Sequence, residues 1–233
     1  MKPPIARLLL APFPLALFAA ASLTAGCSSS PLTGSSELDS QGVSAGAVPG
    51  PTSSFASYPA GPYGTVRGAT IANATFLGWK HPDTALYDTT QFENVRLSDF
   101  YDPDGHTDVK LLAVNASAVW CSVCRSEYVD MKTKGTYAEY RAKGVEMLGT
   151  LFEDNAYYPA QPTDLHNWGS VSNHAVTFPL VLDPSFKMGA YFDSDATPLN
   201  MLIDVRTMTI VSITMGYSAT YWTDTVQAQL DKR

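Results

Sequence analysis

The sequence predicts an α/β fold in which a central mixed β-sheet is flanked by helices on both faces. Residues Val109 to Ala116 form a near-continuous apolar run, as expected of a central strand covered on both faces. Residues 122–143 then suit a helix and residues 145–152 a second strand, an order that favours a parallel crossover. Only residues 206 to 208 separate the strand-like runs 199–205 and 209–215, which should therefore pair antiparallel.

The remaining elements follow from the same kinds of pattern. Residues Asp102 to Gly105 carry strong turn chemistry. Gly135 should kink the helix of residues 122–143, and Gly144 should end it. The other predictions are, in chain order, one or two short strands in 66–76, a loop over 80–88, a half-buried strand edge at 94–100, a helix over 163–174, a short apolar segment at 178–182, a brief helical or irregular segment at 186–192 and a closing helix over 221–230.

Composition limits the possible functions. The 233 residues suit one domain with appendages, and a 45% hydrophobic content is ample for a core. The formal net charge of -7 argues against nucleic-acid binding, which needs a concentrated set of Lys and Arg side chains. The chain contains three cysteines, Cys27, Cys121 and Cys124. A scaffold of several disulfides or a four-cysteine zinc site within one chain is therefore excluded.

The N-terminus has the pattern of an export signal. Lys2 and Arg7 provide positive charge, an apolar stretch follows over 8–23, and Thr24-Ala25-Gly26-Cys27 forms a small-residue processing site. This pattern resembles a bacterial lipoprotein, in which the cysteine after the cleavage site carries the lipid. Thr24 departs from it, because Leu is more usual there. The alternative is an ordinary secretory signal followed by a chance cysteine.

Residues 27–64 are predicted to be a linker that follows the signal peptide of residues 1–26. Ser, Gly, Pro and Ala dominate the segment, and neither strand nor helix periodicity is sustained. A flexible chain of this length spans roughly 35 Å. The folded domain is then expected over residues 65–233, tethered to a membrane through Cys27.

Two cysteines follow the predicted central strand in the segment Trp120-Cys121-Ser122-Val123-Cys124. At the start of a helix, the sulfur of Cys121 would face unpaired N–H groups and the positive end of the helix dipole, which favour a thiolate. Cys124 would lie one turn further along the same helix face. We expect Cys121 to be exposed and acidic and Cys124 to be shielded. Thiol-disulfide exchange is the predicted chemistry, and a structural bridge or half of a metal site are alternatives.

The segment from Val95 to Leu230 resembles the thioredoxin superfamily, in particular its exported membrane-anchored thiol-disulfide proteins and redoxins, which are TlpA-like, ResA-like or related to AhpC/TSA domains. The motifs that carry the resemblance are Leu97-Ser98-Asp99, Leu112-Ala113-Val114-Asn115, Trp120-Cys121-Ser122-Val123-Cys124, Glu127, Asp183-Pro184, Thr197-Pro198 and Ile203-Asp204. The resemblance implies a thioredoxin-like fold and a thiol:disulfide oxidoreductase without a cofactor.

The resemblance also implies roles for individual residues. Cys121 would be the attacking thiol, Cys124 the resolving thiol and Trp120 part of the same active-site motif. Pro198 would be a cis-proline opposite the disulfide. Glu127 would assist proton transfer near the cysteines, although an exposed, solvated glutamate is equally compatible with its helical position.

The leading functional hypothesis is a lipoprotein of the bacterial cell envelope that exchanges disulfides with envelope proteins and receives electrons from an envelope donor. Neither Ser122 nor Val123 adds a positive charge that would stabilise the thiolate, which favours a reductant. One alternative is a copper(I) chaperone in which His174 joins the two cysteines as third ligand. Another is a thiol peroxidase, although the peroxide-reducing proteins carry Thr or Ser where Ala118 stands.

Overall fold

The computed structural model describes residues 57–171, 174–192 and 196–233. The predicted signal peptide, Cys27 and the predicted linker up to residue 56 lie outside the described residues. The packed part of the chain begins before the predicted boundary at residue 65. The hydroxyl of Tyr58 donates a hydrogen bond to the carbonyl of Ile71 at 2.9 Å, and its ring packs edge-on against Tyr101.

Within this part of the chain, the strands form one mixed sheet in the order β2-β1-β5-β4-β3-β6-β7. Their bounds are Thr75–Trp79 (β1), Glu93–Arg96 (β2), Leu111–Ser117 (β3), Val145–Leu151 (β4), Leu180–Leu182 (β5), Leu199–Asp204 (β6) and Thr209–Met215 (β7). The pairs β3/β4 and β4/β5 are parallel, and the other neighbours are antiparallel. The predicted parallel crossover and the predicted C-terminal hairpin are both confirmed.

Strand β3 is the centre of the fold, and each of its residues is buried. Because side chains alternate across a strand, Leu111 and Ala113 pack into the core on one face of the sheet. Leu112 and Val114 pack into the core on the other face. This double burial explains the unbroken apolar run in the sequence.

The α-helices contribute to the core on one face of the sheet. Their bounds are Ser122–Lys134 (α1), Thr136–Ala142 (α2), Pro162–Ser170 (α3) and Gln227–Leu230 (α4), and a π-helix over Tyr221–Val226 runs directly into α4. The side chains that these helices bury in the core include four large aromatic residues, Tyr128, Tyr140, Trp168 and Trp222. The opposite face is covered by the 3-10 helices Leu97–Phe100 and Lys187–Tyr191, so helices flank both faces as predicted.

Two predicted helices differ in their bounds. Gly135 adopts φ +66, and this left-handed conformation ends α1, so residues 122–143 form two helices instead of one kinked helix. Helix α3 begins at Pro162, which suits the first helical position, and ends at Ser170 instead of His174. Among the residues that the structure describes, none of the helices combines the length and apolarity needed to cross a bilayer.

Candidate active site

Cys121 and Cys124 lie where the central strand gives way to a helix. Cys121 is the N-cap residue of α1, and its Sγ accepts a hydrogen bond from the backbone N–H of Cys124 at 3.0 Å. The two cysteines are joined as a disulfide. In the reduced protein, the same N–H group and the positive end of the helix dipole would stabilise a thiolate on Cys121.

The disulfide is nearly enclosed. Cys121 is only 4% exposed and Cys124 is fully buried, so the prediction of an exposed Cys121 is wrong for this oxidised form. One cause is Thr197, whose hydroxyl donates a hydrogen bond to Sγ of Cys121 at 3.3 Å. Cys121 is nevertheless the more exposed of the two cysteines, as predicted.

Pro198 follows Thr197 immediately before β6. The Thr197–Pro198 peptide bond is cis, as the resemblance implied, and Pro198 is buried. The contact between Thr197 and Cys121 brings this segment against the disulfide from a position 76 residues further along the chain.

Glu127, in the same helix as Cys124, is buried, with only 1% of its surface exposed. It lies three residues after Cys124, on the same face of α1. Its Oε1 accepts a hydrogen bond from Nδ2 of Asn200 at 2.9 Å, and its Oε2 accepts one from Nδ2 of Asn115 at 2.8 Å. Burial raises the pKa of this carboxyl from 4.5 to about 7, against the two hydrogen bonds, which lower it, while the charge of Asp130 adds to the rise.

Three residues without a predicted role hold Glu127 in place, directly or through one another. Asn115 and Asn200 are direct partners across β3 and β6, and Nδ2 of Asn115 donates to Oδ1 of Asn200 at 3.0 Å. The hydroxyl of Ser117 donates to Oδ1 of Asn115 at 2.7 Å. The signal in the sequence was an asparagine inside each of two largely apolar strands, because a buried amide must find hydrogen-bond partners.

Trp120 is half-buried on the surface next to the disulfide. Its Nε1–H donates to Oε2 of Glu153 at 2.8 Å, and its ring lies 5.2 Å from the ring of Tyr157, which is 67% exposed. The backbone N–H of Val119 donates to the carbonyl of Glu153 at 2.8 Å. The loop after β4 therefore fixes the orientation of Trp120 and places a second aromatic ring beside it.

His174 is buried away from this arrangement. Its ring packs against Trp168 and Tyr128, with centroid distances of 5.3 and 6.0 Å. Burial lowers the pKa of the imidazole. Over residues 57–171, 174–192 and 196–233, no three His, Cys, Asp or Glu side chains are grouped as metal ligands. The structure thus does not bring His174 together with Cys121 and Cys124, as the copper hypothesis required.

A groove of about 930 Å³ lies at the other end of the parallel strands. Val109, Glu146 and Pro179, which border the starts of β3, β4 and β5, contribute to its lining. The cysteines follow the end of β3. This groove is therefore separate from the disulfide.

Comparisons with known proteins agree with this fold. The model of the AhpC/TSA family matches residues 77–213, more than half of the chain. A search of curated proteins finds no match to the chain.

Three solved structures show the same fold. A Chlorobium tepidum protein named as the thiol:disulfide interchange protein DsbE has a TM-score of 0.52 at 17% identity, covering 72% of this chain and 98% of its own. A Bacteroides thetaiotaomicron protein named as a protein disulfide isomerase has a TM-score of 0.51 at 22% identity, covering 73% and 91%. A thiol:disulfide interchange protein from Bacteroides sp. has a TM-score of 0.50 at 17% identity, covering 71% and 91%. The chain has a thioredoxin-like fold and belongs to the AhpC/TSA family, whose members are redox-active enzymes.

Proposed function

We propose that this protein is a thiol:disulfide oxidoreductase that is exported, tethered to a membrane and active on disulfides of envelope proteins. The observation that carries the proposal is the Cys121–Cys124 disulfide at the start of α1, with the buried carboxyl of Glu127 one turn further along the helix. Two sulfur atoms within reach of each other are the groups that reversible disulfide exchange requires, and a titratable acid can assist the proton transfer. The names of the similar structures describe the same chemistry.

Exchange would proceed in two displacements. In the reduced protein, the Cys121 thiolate attacks a substrate disulfide, whose S–S bond breaks as a bond to Cys121 forms, and the first substrate thiolate leaves and takes a proton from water. Cys124 then loses its proton, attacks Sγ of Cys121 and releases the second substrate thiolate, which is protonated in turn. The substrate gains two electrons and two protons, and an envelope electron donor must reduce the protein again.

Glu127 is suited to the second displacement. Cys124 is fully buried, so its proton cannot pass directly to bulk water. A carboxylate with a pKa of about 7 can accept that proton near neutral pH and return it when the protein is reduced. We assign Glu127 the role of general base for Cys124.

Trp120 and Pro198 are proposed to bind the polypeptide around the substrate disulfide. Trp120 is held by Glu153 and forms an aromatic surface with Tyr157. Pro198 lies in the segment that contacts Cys121 through Thr197. A substrate that reaches Cys121 would contact the aromatic surface and the segment of Thr197 and Pro198.

A thiol peroxidase is the second candidate. Family membership favours it, and Thr197 provides a hydroxyl 3.3 Å from Sγ of Cys121. Against it, Ala118 is buried at the position where the peroxide-reducing proteins carry Thr or Ser, so that hydroxyl is missing.

One experiment separates these two functions. We expect the reduced protein to be oxidised faster by a protein disulfide than by hydrogen peroxide at equal concentration, with one substrate disulfide reduced for each Cys121–Cys124 disulfide formed. Thiol titration and mass spectrometry measure both products, and a protein with both Cys121→Ser and Cys124→Ser is the control. Faster oxidation by peroxide, through a sulfenic acid on Cys121, would instead establish the peroxidase.

The membrane tether is proposed from the sequence. We assign residues 1–26 as a lipoprotein signal peptide, Cys27 as the lipidated residue, residues 27–64 as the tether and residues 65–233 as the catalytic domain. Within the proposed tether, Tyr58 and Tyr63 already contact other residues of the described chain. The domain would then work within reach of the membrane surface, facing the periplasm or the cell exterior.

Replacement of Cys27 tests the tether. Cys27→Ser should move the protein from the membrane fraction to the soluble fraction, because the acceptor for the lipid is removed, whereas its disulfide-exchange activity should be unchanged. Fractionation followed by immunoblotting measures the distribution, and Ser28→Ala is the matched control. Wild-type protein found wholly in the soluble fraction would contradict the lipoprotein assignment.

A further inference from the structure

We propose that Ser117, Asn115 and Asn200 form an amide clamp that favours the ionised form of Glu127 against the effect of burial and thereby sets the pH at which this residue can accept a proton. The inference rests on the proposed function, because it concerns the proton acceptor of the exchange reaction. The three residues are positioning residues, because they act through Glu127. None of the hydrogen bonds described above joins them to a cysteine sulfur.

The hydrogen bonds of the amide clamp run in one direction. The hydroxyl of Ser117 donates to Oδ1 of Asn115, which fixes the orientation of that amide. Nδ2 of Asn115 then donates both to Oδ1 of Asn200 and to Oε2 of Glu127. Nδ2 of Asn200 donates to Oε1 of Glu127. Each carboxyl oxygen therefore faces an N–H donor, an arrangement that matches a carboxylate and leaves a protonated carboxyl without an acceptor in the clamp.

The clamp is buried, and burial strengthens its hydrogen bonds to the carboxylate. Ser117 is fully buried, Asn115 is 2% exposed and Asn200 is 4% exposed, so water does not compete for the same groups. Hydrogen bonds to a charged group are stronger than those between neutral groups, and more so where the surroundings are apolar. Burial alone would favour the neutral carboxyl, and the two amide donors oppose it.

The other ionisable groups around Glu127 do not favour its charge. Asp130, on the same helix, raises the pKa of Glu127, and Lys134 is already paired with Asp130 at 2.7 Å. Tyr217, after β7, donates to Asp130 at 2.5 Å. Tyr128, on the same helix, and Tyr221, in the π-helix, have buried hydroxyls without a hydrogen-bond partner in the described part of the chain. Stabilisation of the carboxylate therefore depends on Asn115 and Asn200.

A titration of the Glu127 carboxyl itself tests the amide clamp. In the full-length protein, carbon-13 NMR of the Glu127 side chain should show its midpoint rising by about one to two pH units in Asn200→Leu, because a hydrogen bond to a charge is lost. Ser117→Ala is a milder change and should raise the midpoint of Glu127 less. It provides the measurement if Asn200→Leu does not fold. Thr150→Val is the control, since Thr150 is buried on the adjacent strand and its hydroxyl has no hydrogen-bond partner among the residues that the structure describes.

Exchange kinetics supply a second measurement. The pH profile of exchange should shift in the same direction in Asn200→Leu, and Asn200→Leu should cause no further shift in a Glu127→Gln background. A Glu127 midpoint that is the same in Ser117→Ala, Asn200→Leu and Thr150→Val would overturn the amide clamp. Because the NMR titration needs no substrate, a shifted midpoint with no effect on exchange would support the clamp and count against the proposed role of Glu127 in the reaction.

Discussion

Cys124→Ala should leave the attacking sulfur active but unable to release its substrate, so that mixed disulfides with partner proteins accumulate through Cys121. The physical reason is the asymmetry of the pair. Cys121 caps α1 and is the more accessible residue, whereas Cys124 is fully buried and bonded to the sulfur of Cys121. Envelope proteins separated without reducing agent should show new high-mass species in this variant, and turnover should fall to background.

The complementary variants complete the test. Cys121→Ala should abolish exchange and trap nothing, and the variant that lacks both cysteines should behave in the same way. Ser122→Ala changes an exposed residue between the cysteines and controls for disturbance of the helix start. If Cys124→Ala traps no partner, and alkylating agents modify Cys124 faster than Cys121 in the reduced protein, the two roles are assigned wrongly.

Glu127→Gln should stabilise the protein more at high pH than at low pH. Burial raises the pKa of Glu127 from 4.5 to about 7 in the folded state, so the unfolded chain releases this proton more readily. This lowers the free energy of unfolding of the wild type. The loss is absent below pH 4.5, grows between pH 4.5 and about pH 7, and is complete above about pH 7. Between about pH 5 and about pH 8, the variant should therefore gain about 2.5 kcal/mol relative to the wild type.

Urea unfolding of the oxidised protein at both pH values measures this difference. Glu139→Gln makes the same chemical change on an exposed helix surface and serves as the matched control. The same Glu127→Gln variant should lose the step near pH 7 in the rate of disulfide exchange, because the proposed acceptor for the Cys124 proton is removed. The prediction would be contradicted if the stability difference between Glu127→Gln and the wild type were the same at both pH values and the two proteins had the same pH profile of exchange. Glu127 would then neither resist ionisation nor take part in proton transfer.

Local sequence patterns determined much of the architecture. The apolar run of β3 predicted a strand buried on both faces, since only a central strand can hide every side chain. The spacing of the cysteines predicted their place at the start of α1, and the three residues between β6 and β7 allowed only a hairpin. These features depend on neighbouring residues, whose periodicity and turn chemistry are visible in the chain itself.

The environment of the site was decided by contacts between distant parts of the chain. Glu127 could have been an exposed helix residue until Asn200, 73 positions away, was placed above it, and Asn115 meets Asn200 across 85 positions. Cys121 loses its exposure through Thr197, 76 residues later. Burial and hydrogen-bond partners depend on how the strands and helices pack, and this packing sets the pKa of Glu127. The sequence by itself therefore determined which residues could react, and the tertiary structure decided their protonation and access.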